Sequence, residues 1–326
     1  MKLHSLFLSS MLRWNISPED PATWPAFSAL GAVVLNPFVA MEGEPLPTSF
    51  PLSDDKYHVL TNRLYVATPE LMPAAALDEV LKPWLRALRI ASKQASLPIE
   101  VYGFSQRDID LATIRLALPV ARLRGTLFGE FHIRTALDDA AIRRAHELRT
   151  DAAAPLYHEL LLDALQACEA RRHREAILYS AIAVESLAQY ELTTAYDATL
   201  VATPPPPHMN ILNFALANGQ AAKKDPIFSL LIESDNFGRL LHEAPLYLMR
   251  RSLLNEVPDL FRKAKSLYST RNRLSHGQAV EPGDESRLQI DSEGATAAVQ
   301  IAVDVFAWFG QTGYYIPDHR VVQIEA

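Results

Sequence analysis

Residues 258–277 read PDLFRKAKSLYSTRNRLSHG, and the spacing within them sets both the architecture and the candidate chemistry of the second half of the chain. Leu260, Ala264, Leu267 and Leu274 recur at three- and four-residue steps, the period of one helical face. Pro258 suits the first position of a helix and Gly277 the left-handed position that closes one, so a helix is expected over Pro258–His276 with His276 on its last turn. Arg271 falls in the middle of the apolar stripe. A guanidinium on a core-facing stripe is costly unless paired, so a carboxylate or a phosphate should be waiting for it. By ideal geometry Asn272 and His276 lie about 40° apart on a neighbouring face and can act together. A guanidinium neutralises a phosphate, and an imidazole near its unperturbed pKa moves a proton, so this helix end carries the parts for cleaving a phosphodiester without a metal.

A partner for Arg271 can be found in the sequence. In the helix expected over Arg174–Thr194, Ile177, Ala181, Val184 and Ala188 form one apolar stripe while Leu178, Ile182 and Leu192 form a second. Such a helix is buried on most of its girth. Glu185 sits on the second stripe, where a carboxylate is seldom left without a partner, and a helix packed against it that carries an inward arginine satisfies both. The alternative is that Glu185 simply reaches the surface or a water.

Composition bounds the rest. The chain has 326 residues, of which 49% are hydrophobic and 21% charged, enough for two cores, and two domains are the default count. Basic and acidic residues balance over 1–150, so the net charge of −7 falls entirely in 151–326, against binding of nucleic acid by bulk charge. Within that acidic half, Arg250, Arg251, Arg262, Lys263, Lys265, Arg271 and Arg273 make one basic patch, opposed only by Glu256 and Asp259 over the same stretch. Cys168 is the single cysteine, so no intrachain disulfide or cysteine-based zinc site can form, and an intracellular, cytoplasmic protein is expected with Cys168 as a small buried residue. Residues 1–8 faintly resemble a leader peptide, but their apolar core is short and Arg13 interrupts it, so secretion is not expected. The apolar stretch Trp24–Met41 is broken by Pro25, Asn36 and Pro37, which argues for core rather than a membrane span.

Strand-like alternation appears over Ser49–Ala67 and again over Ile99–Ala136, with a helix over Ala74–Ala95 between them. Residues 1–150 are therefore expected to be an α+β domain and 151–326 an all-α bundle. The helices of the bundle are expected at Pro155–Ala170, Arg174–Thr194, Pro226–Leu254 (one or two), Pro258–His276 and Ala295–Gly310, with Asp138–Thr150 opening the helical region. The four prolines 204–207 read as a stiff loop. Arg171-Arg172-His173-Arg174 reads as a solvated corner that could widen the basic patch. The Walker, dinucleotide and nucleophile-elbow motifs are missing, which disfavours an NTPase, a dinucleotide enzyme and a standard serine hydrolase. His146-Glu147 and His158-Glu159 lack the second histidine a zinc helix needs.

With Arg271 and His276 in an R-x4-H spacing, Asn272 directly after the arginine, and the run Ala-Ile-Ala-Val-Glu185-Ser-Leu two helices earlier, residues 152–310 resemble a HEPN domain. The resemblance implies a HEPN-like bundle and a metal-independent endoribonuclease, of the kind found in toxins and antiphage defence effectors, acting as a homodimer on RNA with the two motifs meeting at the dimer interface. In that scheme His276 moves the proton, Arg271 stabilises charge on phosphorus and Asn272 orients one of them, with Glu185 in support. Arg273, Lys265, Arg262 and Lys263 are the candidate RNA contacts. No metal or cofactor is implied and no membrane association is expected, and the first domain is left to sense, recruit or restrain by binding a regulator or trigger. Two alternatives stand beside this one: a catalytically silent HEPN module that binds RNA or nucleotides or dimerises, and a protein-interaction scaffold.

Overall fold

The computed structural model describes residues 2–16, 33–34, 39–40, 48–51, 57–95, 97, 101–107, 115–116, 137–150, 155–201, 237–278 and 287–314. The chain divides into two compact units, Met1–Ala154 and Pro155–Ala326. Expectations for the stretch around Trp24, the segment 127–133, the prolines 204–207 and the first part of Pro226–Leu254 lie outside the described residues.

The first unit is organised by its opening strand, β1 (Lys2–Ile16). The shorter strands β2 (Val33–Val34), β3 (Val39–Ala40) and β4 (Thr48–Pro51) precede the long β5 (Tyr57–Thr68). After helix α1 (Ala74–Ser92) come β6 (Val101–Arg107), β7 (Arg115–Leu116), β8 (Leu137–Asp138) and helix α2 (Asp139–Thr150). In the larger sheet the order is β2-β5-β1-β6, with β4 on β5 and β8 parallel to β1; β3 and β7 form a separate pair. β1 runs antiparallel to both β5 and β6, from Lys2 opposite Thr68 and from Leu3 opposite Arg107, and its register with β5 shifts between Phe7 and Leu12.

Period-two alternation decides which face of β1 is inward. Leu6, Leu8, Leu12 and Trp14 are buried and, with Leu64 and Val66 of β5, meet Leu77, Leu81, Trp84, Leu85 and Leu88 of α1 and Ile142 of α2. The segment whose first residues faintly resemble a leader is an interior strand of the sheet, between β5 and β6. Its other face holds Phe7, over which the Arg63 guanidinium lies 4.8 Å from the ring centroid.

His4 occupies the same inward row and is fully buried. Its Nε2 lies 2.7 Å from the Thr68 hydroxyl, which itself donates to the Glu70 carbonyl, so the imidazole is the donor. Burial lowers the His4 pKa from the ordinary 6.5, opposed by a backbone hydrogen bond at Glu70. As pH falls below about 6.5 the unfolded chain takes up a proton that the folded unit refuses, so stability present at neutral pH is lost as pH falls towards the depressed folded value. Thermal melts of the full chain should show this acid loss, and His4→Gln should remove that part of the pH dependence. Parallel pH profiles for the two proteins would overturn the assignment.

The second unit is helical throughout its described residues: α3 (Leu156–Glu169), α4 (His173–Val201), a π-helical turn (Arg239–Glu243), α5 (Ala244–Met249), α6 (Leu253–Glu256), α7 (Pro258–Ser275) and α8 (Ser292–Trp308). Helix α4 is central, packed by α3, α7 and α8. It buries Ala176, Ile177, Ser180, Ala181, Ala183, Val184, Leu187 and Ala188, most of its girth. The small residues among these let neighbouring helices approach closely. Cys168 is buried with Sγ 3.8 Å from the Thr296 hydroxyl, and burial raises its thiol pKa, so it is a packed, unreactive thiol.

Two junctions fix the frame around α7. At its start, Glu256 accepts from Trp308 Nε1 (2.8 Å), from Arg251 (3.1 Å) and from the Ser252 backbone N–H (3.2 Å), while Arg251 lies 4.7 Å from the Trp308 ring centroid. These donors, Arg251 foremost, hold the Glu256 carboxyl below its ordinary pKa. At the start of α8, Asp291 caps the helix by accepting from the Gly294 N–H at 2.8 Å. Among the described residues no helix is long and apolar enough to cross a membrane.

Candidate functional site

The carboxyl end of α7 closes by a Schellman turn. Gly277 has φ +69°, its N–H donates to the Leu274 carbonyl at 3.2 Å, and the Gln278 N–H donates to the Arg273 carbonyl at 2.9 Å. His276 is therefore the residue at which the chain leaves the helix, its side chain exposed to solvent. The expected stripe is realised, since Leu260, Ala264, Leu267 and Leu274 are buried.

Arg271 is inward and paired. Its side chain is 27% exposed and Glu185, on the middle of α4, is 21% exposed, with Nη2 and Oε2 separated by 3.4 Å. Nη1 donates to Asn272 Oδ1 at 2.9 Å, and the guanidinium carbon lies 5.5 Å from the centroid of the Tyr268 ring. Tyr268 in turn stacks on Phe237, ring centroids 4.6 Å apart and planes 10° from parallel. Nε is buried and has no partner among the described residues. The guanidinium is thus held from three sides, by a carboxylate, an amide and an aromatic face, with Nη1 and Nη2 each engaged by one neighbour. At 3.4 Å the contact with Glu185 is loose for a charge-assisted hydrogen bond, so an incoming phosphate can share the guanidinium without first breaking a bidentate pair.

Asn272 is oriented by Arg271 rather than by His276. The bond linking Asn272 with His276 is the helical one, from the His276 N–H to the Asn272 carbonyl at 3.2 Å. The candidate RNA contacts separate. By helical phase Lys265 falls between Asn272 and His276, whereas Lys263 falls on the opposite flank. Lys265 Nζ stands 6.0 Å from the Phe261 ring centroid, and Arg262 is tied to Asp259 at 2.5 Å. Arg273 is half-buried in the last turn. Along the axis Arg262 is about 20 Å from His276, too far for both to touch one phosphate.

Two supports of this helix end are not specified by the sequence. Arg174, in the first turn of α4, donates from Nη2 to the Leu274 carbonyl at 2.8 Å, adding a cation to the carbonyl end of α7. Thr270, fully buried, donates to the Ser266 carbonyl (2.9 Å) and accepts from the Leu288 N–H (3.0 Å), while Arg287 Nε donates to Ser269 Oγ (3.3 Å). Residues 287–290 therefore lie as a strap along α7 beside Arg271. The basic run Arg171–Arg174 is the one signal for the first, and the spacing of Thr270 on the stripe could have pointed to the second.

A scan against protein-family models returns no match, and searches of the curated proteins and of the solved structures return none either.

Proposed function

We propose that the second unit is a HEPN-type endoribonuclease that cleaves RNA without a metal ion and acts as a homodimer. The observation that carries this reading is the pairing of unlike environments on one helix end. Arg271 is held inward between Glu185 and Asn272, and His276 is exposed one turn further on. In the proposed reaction the ribose 2′-hydroxyl loses its proton, the 2′-oxygen attacks the adjacent phosphorus, and the 5′-oxygen leaves with a proton, giving a 2′,3′-cyclic phosphate and a 5′-hydroxyl. His276 serves one of the two proton transfers and Arg271 meets the charge gathering on the phosphoryl oxygens. A second copy across a two-fold axis supplies the other histidine, and a toxin or antiphage role fits a self-contained nuclease of this kind. The first unit then recruits or restrains.

The test is incubation of the purified full chain with RNA in EDTA, beside Arg271→Ala and His276→Ala and with a 2′-deoxy oligonucleotide as control. Cleavage is expected to persist in EDTA, to fail on the deoxy control and to be lost in both variants. Equal RNA decay in all three proteins would overturn the nuclease, and a monomeric mass for an active protein would overturn the shared site. One contact favours the silent module instead: the Arg271–Glu185 pair also suits a purely structural arginine. The wild-type assay separates the two, since a silent module leaves RNA intact, whereas a nuclease cleaves it and retains cleavage in Glu185→Gln, where the competing carboxylate is neutralised.

A further inference from the structure

We propose that the corner between α3 and α4 is a cationic ledge, continuous with the carboxyl end of α7, that holds backbone phosphates of an RNA strand beside the phosphate placed at His276. This rests on the ribonuclease reading for the identity of the ligand. In the sequence the run Arg171-Arg172-His173-Arg174 reads as a solvated corner that could widen the basic patch, with nothing to say where in the bundle it lies. The Arg174 bond to the Leu274 carbonyl, across 100 residues, places it at the end of α7. Arg273 precedes that carbonyl by one residue and His276 follows it by two, so the arginines of the corner flank the motif.

The roles within the ledge divide by what each side chain already does. Arg174 spends its charge on the helix end and positions it. Arg172 meets Glu175 at 2.5 Å in an exposed pair, which water screens and a phosphate can share. Arg171 is exposed and stands at φ +57°, where its N–H donates to the Cys168 carbonyl (3.0 Å) and the Arg172 N–H to the Ala167 carbonyl (2.8 Å), closing α3 as Gly277 closes α7. Within residues 169–175 three arginines stand against two carboxylates, Glu169 and Glu175. By contrast Arg262 and Lys263 lie some 20 Å along α7 from His276, and Arg262 is paired with Asp259. The ledge therefore displaces the amino-terminal half of α7 as the nearer track for a strand.

The experiment measures binding, so that it does not depend on turnover. Full-length His276→Ala protein is titrated with a labelled 2′-O-methyl RNA oligonucleotide by fluorescence anisotropy over a range of KCl. Arg171→Gly and Arg172→Ala are then introduced singly. Glycine takes a positive φ without strain, so Arg171→Gly removes the charge while keeping the corner, and its melting temperature should not fall. Each change is expected to lower the slope of log K against log salt by about 0.7. Unchanged slopes, absence of RNA binding, or a slope that falls only in Arg262→Ala and Lys263→Ala would overturn the ledge. Altered slopes with a wild-type protein that leaves RNA intact would uphold the ledge and overturn the nuclease; cleavage with unchanged slopes would do the reverse.

Discussion

His276→Ala is expected to slow RNA cleavage by about 10²–10⁴-fold, the usual worth of a positioned proton-transfer group, with a melting temperature close to that of the parent. The two halves of that expectation have separate causes. The imidazole is exposed and the turn that ends α7 is closed by backbone bonds from Gly277 and Gln278, so folding does not depend on it. Arg271→Ala behaves differently. It should cost about 10²–10³-fold in rate by removing a donor to the developing charge, and it should also lower stability, because Glu185 is left part-buried without its cation. Arg271→Lys keeps the charge but not the fork that reaches Glu185 and Asn272 together, so it should restore stability better than rate. Single-turnover cleavage assays and thermal melts on the same preparations read both quantities. An Arg271→Ala protein that melts normally would contradict the pairing, and a His276→Ala protein of full activity would remove the histidine from the chemistry.

Gly294→Ala is expected to destabilise the second unit by about 3 kcal/mol, at the upper end for inserting one methyl group into packed structure. A Cβ at this buried position would stand 1.9 Å from the Gln289 carbonyl oxygen and 2.9 Å from its carbonyl carbon. Both are backbone atoms, so no side chain can swing aside and the strap itself must move. The strap is held to α7 by the Leu288 N–H on Thr270 and by Arg287 on Ser269. Displacing it should therefore loosen the helix surface next to Arg271. Denaturant midpoints give the stability change, and faster hydrogen exchange at the Leu288 amide should accompany it. Exchange that is unaltered while the midpoint falls would show that the strap does not transmit the strain. Thr270→Val, which deletes the acceptor while keeping the volume, should speed the same amide with a smaller loss of stability.

How the sequence relates to this structure differs from element to element. In α7 nearly everything was readable: the stripe from Leu260 to Leu274 has helical period, Pro258 and Gly277 mark its ends, and the inward phase of Arg271 follows from its neighbours. The Arg271–Glu185 contact was readable at one remove, because two part-buried opposite charges on helices of one bundle have few other ways to be satisfied. The opening strand was not. In Lys2–Ile16 the inward row of His4, Leu6, Leu8, Leu12 and Trp14 alternates properly, but in the sequence Leu3 and Phe7 fill the gaps, and the segment reads as a continuous apolar run. The corner at Arg171–Arg174 reads as a solvated corner that could widen the basic patch, because nothing local distinguishes a solvated arginine from one that reaches another helix.

The sequence by itself determined the helical stripe, the terminus at Gly277 and the inward phase of Arg271, since these depend on periodicity and capping that act within one or two turns. The pairing of Arg271 with Glu185 is expected from the two stripes, and the tertiary structure gives it a distance; only the tertiary structure decided that Arg174 meets the Leu274 carbonyl across 100 residues and that the strap before Gly294 lies against Thr270. The physical reason is one of range. Local conformation is set by neighbours in the chain, whereas a distant partner is chosen by how the packed helices happen to align, and no spacing in the sequence encodes that alignment.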